Sequence, residues 1–215
     1  MIQPVIASLE QTLTFELGDR PVMNFTSGRT IFHPRVYLIG ARTTYQGATC
    51  LGRHLLEFGI FFRPFASWQL FGIPPAELAE SDGDATGVMG PWVVELWHKL
   101  ADCRSFSDRI LVATETLLMF AKAAHPLTSI MSTVHRLLPS DEPARIARIA
   151  RASSMSIRSY ERQFTGEIGI SPKQFARLAR FARAIDMKRI SDIQPWSVQA
   201  PQRVDELGTA VATSL

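Results

Sequence analysis

Near its start the chain alternates apolar and polar residues with a period of two. Leu13, Phe15 and Leu17 alternate with Thr12, Thr14 and Glu16. This is the pattern of a half-buried strand, and Gly18-Asp19 supplies a turn after it. "RVYLIG" (Arg35–Gly40) and "HLLEFGIFF" (His54–Phe62) predict two further strands. The second is apolar on both faces, as a central strand is. Gly28, Pro34, Gly40, Gly47 and Gly52 punctuate the gaps. Several short strands at this spacing predict a small barrel or sandwich.

At Arg63-Pro64 the period lengthens. "FASWQLFGIPPAEL" predicts a short helix, a Gly/Pro turn and another helical turn. In "GPWVVELWHKLADC" a helix places Val93, Leu96, Trp97 and Leu100 on one face, with Pro91 in its first turn. The next helix takes Ser107 as its N-cap and stops before Pro126. Its apolar residues Ile110, Leu111, Leu117, Leu118 and Phe120 nearly encircle the axis, so over Asp108–Ala124 it is expected to be buried or at a dimer contact. A further helix is predicted over Thr128–Leu138, and "PSDEP" reads as a linker.

Beyond the linker, Asp141, Glu142 and Pro143 supply helix-start chemistry. Ile146, Ile149 and Ala150 form an inward stripe until "ASSMS" interrupts it. Ser156 is an N-cap for a second helix, with Ile157, Tyr160 and Phe164 inward and Arg158, Ser159, Arg162 and Gln163 outward. Gly169 suits a left-handed C-cap. Ser171 and Gln174 then form a capping box around Pro172 at the first helical position, and Ile170 staples onto Phe175. Phe175, Leu178, Ala182 and Ile185 are the expected core stripe of this last helix, with Arg177, Arg180 and Arg183 largely off it. Two short helices, a tight turn and an outward face of Arg, Ser and Gln describe a helix-turn-helix, whose side-chain types read base edges and phosphates.

Charge sharpens this picture. The 215 residues carry a net +3, but residues 144–189 hold eleven Lys/Arg against three acids, a net of +8. Such segregation points to one part of the chain meeting an anionic partner. The 46% hydrophobic content supports a core, no window approaches the ~18 apolar residues of a membrane span, and the N-terminus lacks a signal-peptide pattern. A cytoplasmic protein with no membrane partner is expected. Cys50 and Cys103 have neither CxxC nor Cys/His spacing, which argues against a disulfide framework or zinc module. His33, His54, His98, His125 and His135 are scattered, and His54 and Glu57 fall on opposite faces of a predicted strand. GxSxG, P-loop and GxGxxG motifs are missing, so no catalytic residue, metal or cofactor is assigned. Phe61, Phe62, Phe65, Trp68 and Phe71 read as core packing in preference to a ligand pocket.

"IARIARASSMSIRSYERQFTGEIGISPKQFARLARFARAI" resembles the first helix-turn-helix of AraC/XylS-type bacterial transcription regulators. The likeness rests on Ala150, Ser156, Arg158, the run Arg162-Gln163-Phe164, "GISP" and "ARFARA". Ser154 stands where that family often has Gly. "FFRPFASWQLFGIPPAEL" resembles the sensor region of one branch of the family. The resemblance implies an α+β chain: a β-barrel-like, cupin-like regulatory domain over 1–125, a helix and linker over 126–143, and an all-α DNA-binding region over 144–190. It further implies double-stranded DNA and a small-molecule effector as partners, and pairing into a homodimer. Arg158, Ser159, Arg162 and Gln163 would face the groove, and Arg180 falls in the helix that links two such motifs. Lys173, Arg177 and Arg180 are candidate DNA contacts; for Arg177, Arg180, Arg183, Lys188 and Arg189, phosphate contact and simple solvation stand as equal readings.

After Ile190 the family pattern stops. "SDIQPWSVQAPQRVDELGTAVATSL" has no Gly-aromatic turn and no basic helix, so residues 191–215 are an atypical tail and a truncation or frameshift soon after Trp196 is the expectation. DNA binding weakened by loss of the second motif follows from that expectation. The alternative is a regulator remnant that does not bind DNA and acts by dimerisation or by sequestering a ligand.

Overall fold

A computed structural model describes residues 2–63, 65–80, 82–134, 145–191 and 212–213. The chain is mixed α and β. Its first part is built from β1 (Ile2–Val5), β2 (Gln11–Glu16), β3 (Val22–Phe25), β4 (Thr30–Phe32), β5 (Val36–Ile39), β6 (Gly47–Cys50) and β7 (Glu57–Phe62). There follow α1 (Ala66–Phe71), α2 (Pro75–Leu78), β8 (Asp82–Asp84), α3 (Ala85–Met89), α4 (Trp92–Asp102) and α5 (Phe106–Ala121). The remainder is α6 (Ser129–Val134), α7 (Arg145–Ala152), α8 (Ile157–Ile168), α9 (Pro172–Ser191) and the two-residue strand β9 (Ala212–Thr213). The linker at 139–143, the end of the helix predicted to Leu138, and the tail from 192 onward apart from β9 lie outside the described residues.

The strands form two antiparallel sheets, in the orders β1-β6-β3-β4 and β8-β5-β2-β7-β9, and the described residues form no closed barrel. β2 is central in its sheet, pairing with β5 on one side and β7 on the other. Its apolar face joins Leu13 and Phe15 to a core with Phe58, Ile60, Leu96, Leu100 and Leu117. Contrary to the half-buried expectation, the polar face is also buried: Thr14 and Glu16 are as inaccessible as Leu13. On that face Tyr37 of β5 flanks Thr14 and Glu57 of β7 flanks Glu16, neighbours that lie far along the chain.

β7 begins at Glu57, three residues later than its apolar run predicts. Before it the ladder widens, with the backbone amides of Leu17 and Gly18 both donating to the carbonyl of Leu56. A Cβ on Gly18 would stand 2.1 Å from the carbonyl oxygen of His54, so only glycine allows this approach. His54 is therefore outside the strand and exposed, and the HxxE pair does not lie on one strand.

The predicted aromatics pack as core. Phe71 meets Phe62 edge-on at 5.8 Å, stacks on Trp92 at 5.5 Å and contacts Phe120 at 5.1 Å. Leu96 and Leu100 of α4 are buried on the same cluster. α5 is capped by Ser105 in place of Ser107: the Ser105 hydroxyl accepts the amide of Asp108 at 3.1 Å and donates to its carboxylate at 2.7 Å. Ser107 sits two residues inside that box, where a hydroxyl has no orphan amide to accept. One side of α5 is buried through Ala113 and Leu117, but Leu111 and Met119 remain about three-fifths exposed, at 62% and 61%.

A second core joins α6, α7, α8 and α9 through Ile130, Val134, Ile149, Ala150, Tyr160, Phe164, Phe175 and Leu178, and it takes in Leu9 and Phe65 from the N-terminal part. Two sequence expectations change here. Ile157 is exposed at 47%, because the inward stripe of α8 is Tyr160, Phe164 and Ile168. In α9 the stripe is Phe175, Leu178 and Ala179; Ala182 is exposed and Ile185 half-buried, since the helix leaves the core after its second turn. No helix among the described residues is long and apolar enough to cross a membrane.

Candidate nucleic-acid interface

The turn between α7 and α8 is fixed by backbone chemistry. Ser153 donates to the carbonyls of Ile149 and Ala150, and Met155 donates to Ala150 at 2.9 Å. Ser154 takes φ +56°, the left-handed conformation in which glycine is at ease. Ser156 then caps α8, its hydroxyl accepting the amide of Ser159 at 3.1 Å. At the other end Gly169, with φ +85°, closes the helix through a hydrogen bond from its amide to the carbonyl of Thr165.

Tyr160, Phe164 and Ile168 turn one face of α8 fully inward. Phe164 meets Phe175 of α9 edge-on at 5.8 Å, which seats the two helices together. α6 clasps the same helix with two polar contacts. The Thr128 hydroxyl donates to the carboxylate of Glu167 and accepts the amide of Met131, and the Thr133 hydroxyl meets the phenol of Tyr160. Burial pushes the Tyr160 phenol up from its ordinary value and the bond to Thr133 opposes this, so it stays a neutral donor at physiological pH.

These buried stripes decide what points outward. Arg158, Arg162 and Gln163 are exposed and Ser159 is half-buried, four side chains at spacings of one and four residues on one outer surface of α8. Ser171 and Gln174 form the reciprocal box predicted for α9: the Ser171 hydroxyl accepts the amide of Gln174 at 3.2 Å, and the Gln174 side chain accepts the amide of Ser171 at 3.1 Å. From that start Lys173, Arg177 and Arg180 fall one turn apart and are all exposed. Among the described residues none of these five cations makes an ion pair or a hydrogen bond. Arg183 is half-buried and already engaged. The side chains of Lys188 and Arg189 lie outside the described residues. A guanidinium fork can bind guanine O6 and N7 or a phosphate, and a glutamine amide can bind adenine.

The junction between α8 and α9 is seated on the N-terminal part. A Cβ on Gly169 would lie 2.5 Å from the Cβ of Ala79 and 2.9 Å from the Cα of Ala76. Ile168, Ile170 and Phe175 line a narrow cleft there with Leu9, Phe65 and Pro75. Phe65 enters it directly from the end of β7, with its own backbone in the left-handed region at φ +80°.

A second polar cluster, which periodicity did not reveal, lies in the five-stranded sheet. Glu16 and Glu57 are directly paired across β2 and β7, and the Tyr37 phenol donates to Glu16 Oε1 at 2.9 Å. An alternating strand reads Glu16 as solvent-facing; only the pairing partners on β5 and β7 show that it is buried. Comparison of the chain with protein-family models, with curated proteins and with solved structures finds no match.

Proposed function

We propose that the α6–α9 unit is a helix-turn-helix DNA-binding module of a cytoplasmic, AraC-type transcription regulator. In this reading α8 enters the major groove, with Arg158, Ser159, Arg162 and Gln163 toward base edges and adjacent phosphates. Lys173, Arg177 and Arg180 on α9 hold the backbone. The observation that carries the reading is the segregation on these two helices: fully buried apolar stripes behind, five exposed and unneutralised cations in front. Acids three or four residues from a cation on a solvated helix add stability through ion pairs. Here Glu161 is the single exposed acid of α8, and the outer face of α9 from Lys173 to Arg180 has none.

Duplex DNA titrated with the wild-type chain and with Arg158→Ala/Arg162→Ala tests this. The double variant should lose at least tenfold in affinity, the equivalent of about 1–3 kcal/mol for a lost bidentate contact, with an unchanged thermal midpoint. Equal binding by both proteins would reject the assignment. Residues 1–125 would be the regulatory part, responsive to a small molecule, as the resemblance implies.

The outer face of α5 favours a second activity, pairing with another copy of the chain. Leu111, Leu118 and Met119 are exposed along that face, with Asp108 near its start and Lys122 just past its end. Antiparallel pairing of two such helices sets each Asp108 near the partner copy's Lys122 and each Leu111 near its Met119, with the exposed Glu115 of each copy at the crossing point, where their like charges weaken the contact. Sedimentation of Leu111→Lys/Leu118→Lys against wild type tests it: loss of a dimer supports the pairing, and identical monomers reject it.

A further inference from the structure

Glu16 ends β2, Glu57 begins β7, and the two are directly opposite in register. Glu16 is 0% exposed. Its Oε1 accepts the Tyr37 phenol, while its Oε2 is buried and has no hydrogen-bond donor. Residues directly opposite in an antiparallel pair project from the same face of the sheet, so the Glu57 side chain is its immediate cross-strand neighbour.

Among the described residues no cation forms an ion pair with either carboxyl. Arg35 acts on Glu16 only through its charge, because its guanidinium donates to the backbone carbonyls of Glu16 and Gly18 and lies over the ring of Trp97 at 5.3 Å. Trp97 of α4 donates its indole N–H to the Glu16 carbonyl at 2.7 Å, again not to the carboxyl. His33 is buried and stacks on the Tyr37 ring at 4.2 Å. Two ionised carboxylates directly opposite one another repel, and a buried one without a donor on each oxygen carries a large desolvation penalty. A proton between them removes both problems by turning one acid into a donor to the other.

We propose that Glu16 and Glu57 hold a single proton between them at neutral pH, and that this proton locks the β2–β7 end of the sheet as a pH-responsive device. Burial, then the charge of Glu57, raises Glu16 from 4.5 to about 8, with the Tyr37 hydrogen bond and Arg35 opposing. Burial raises Glu57 in the same direction. Tyr37 is held well above its ordinary value by burial and by both acids, so it remains the donor throughout. The unfolded chain has surrendered this proton above about pH 4.5, whereas the folded chain keeps it up to about pH 8. Stability from the lock is therefore fully present below the unfolded value and is lost as pH rises through the window from 4.5 to 8. At its other end β7 runs into Phe65, so the lock sits on the strand whose continuation is buried in the core of the helical unit.

The lock is independent of the DNA reading, and its test needs no DNA. The unfolding constant of the full chain is measured by denaturant titration from pH 5 to pH 9, for wild type and for Glu16→Gln/Glu57→Gln. The wild-type constant should rise up to about tenfold more per pH unit than that of the double variant, the signature of one proton released on unfolding. Parallel profiles would overturn the proposal. Wild-type protein alone gives a second readout, the infrared C=O stretch of a protonated carboxyl. It should persist at pH 7 and vanish as pH rises past about 8; its absence at pH 7 would equally overturn the proposal, whether or not the variant folds.

Discussion

The hydroxyl of Thr133 on α6 lies 2.8 Å from the phenol oxygen of Tyr160 on α8, with both residues buried. Thr133 already donates its proton to the carbonyl of Ile130 at 2.7 Å, so Tyr160 is the donor of the pair. Tyr160→Phe removes that donor and leaves Thr133 bonded to Ile130, a loss of about 1 kcal/mol. Tyr160→Ala also empties the centre of the helical core and should lose about 3–5 kcal/mol. Urea denaturation of the two variants distinguishes a clasp of this kind from an incidental contact, for which Tyr160→Phe would be neutral.

Two glycines three residues apart should respond in opposite directions. Gly166 lies within α8 with open space where a side chain would go. Gly166→Ala should therefore stabilise the chain by about 0.5–1 kcal/mol. Gly169 has a positive φ and abuts Ala76 and Ala79. Gly169→Ala combines left-handed strain with overlap against α2, and should destabilise by at least about 2 kcal/mol. Thermal midpoints moving apart on either side of wild type is the expected result.

Ser154 occupies the left-handed position of the turn between α7 and α8. Ser154→Gly relieves a backbone cost of about 1–2 kcal/mol but loosens the unfolded chain by roughly 0.5–1. A net gain of up to about 1 kcal/mol should appear in denaturant unfolding, with DNA affinity unchanged.

Ser171 and Gln174 satisfy amides at the start of α9 reciprocally. Ser171→Ala should lose about 1 kcal/mol, and Ser171→Asp, which retains an acceptor at the cap, should recover most of it. Hydrogen exchange at the Gln174 amide is the local readout, faster in Ser171→Ala than in wild type.

The contrast between the two halves shows what a sequence can carry. The caps at Ser156 and Ser171, the C-cap at Gly169 and the staple of Ile170 on Phe175 are contacts between residues a few positions apart, so the chain spells them out. The polar face of β2 is different. Its burial depends on Tyr37 and Glu57, residues 21 and 41 positions beyond Glu16. β3, β4 and β6 are three or four residues long, too short for an alternation to register. The boundary of α9's core stripe also escaped, because it depends on where the partner helices end and not on α9's own period. Arg158, Arg162, Lys173, Arg177 and Arg180 were legible as outward-facing, since helical spacing from the apolar stripes places them there.

The measurement that bears most directly on the central claim is the salt dependence of duplex DNA binding, followed by fluorescence anisotropy between about 50 and 200 mM salt, a range over which phosphate contacts weaken measurably. The wild-type chain should bind with an affinity that falls linearly on a log–log plot. Lys173→Ala/Arg177→Ala/Arg180→Ala should bind more weakly, with the slope reduced by about 3, one for each phosphate contact removed. Absence of binding at the lowest salt, or superimposable slopes for the wild type and the triple variant, would contradict the assignment of these helices to DNA.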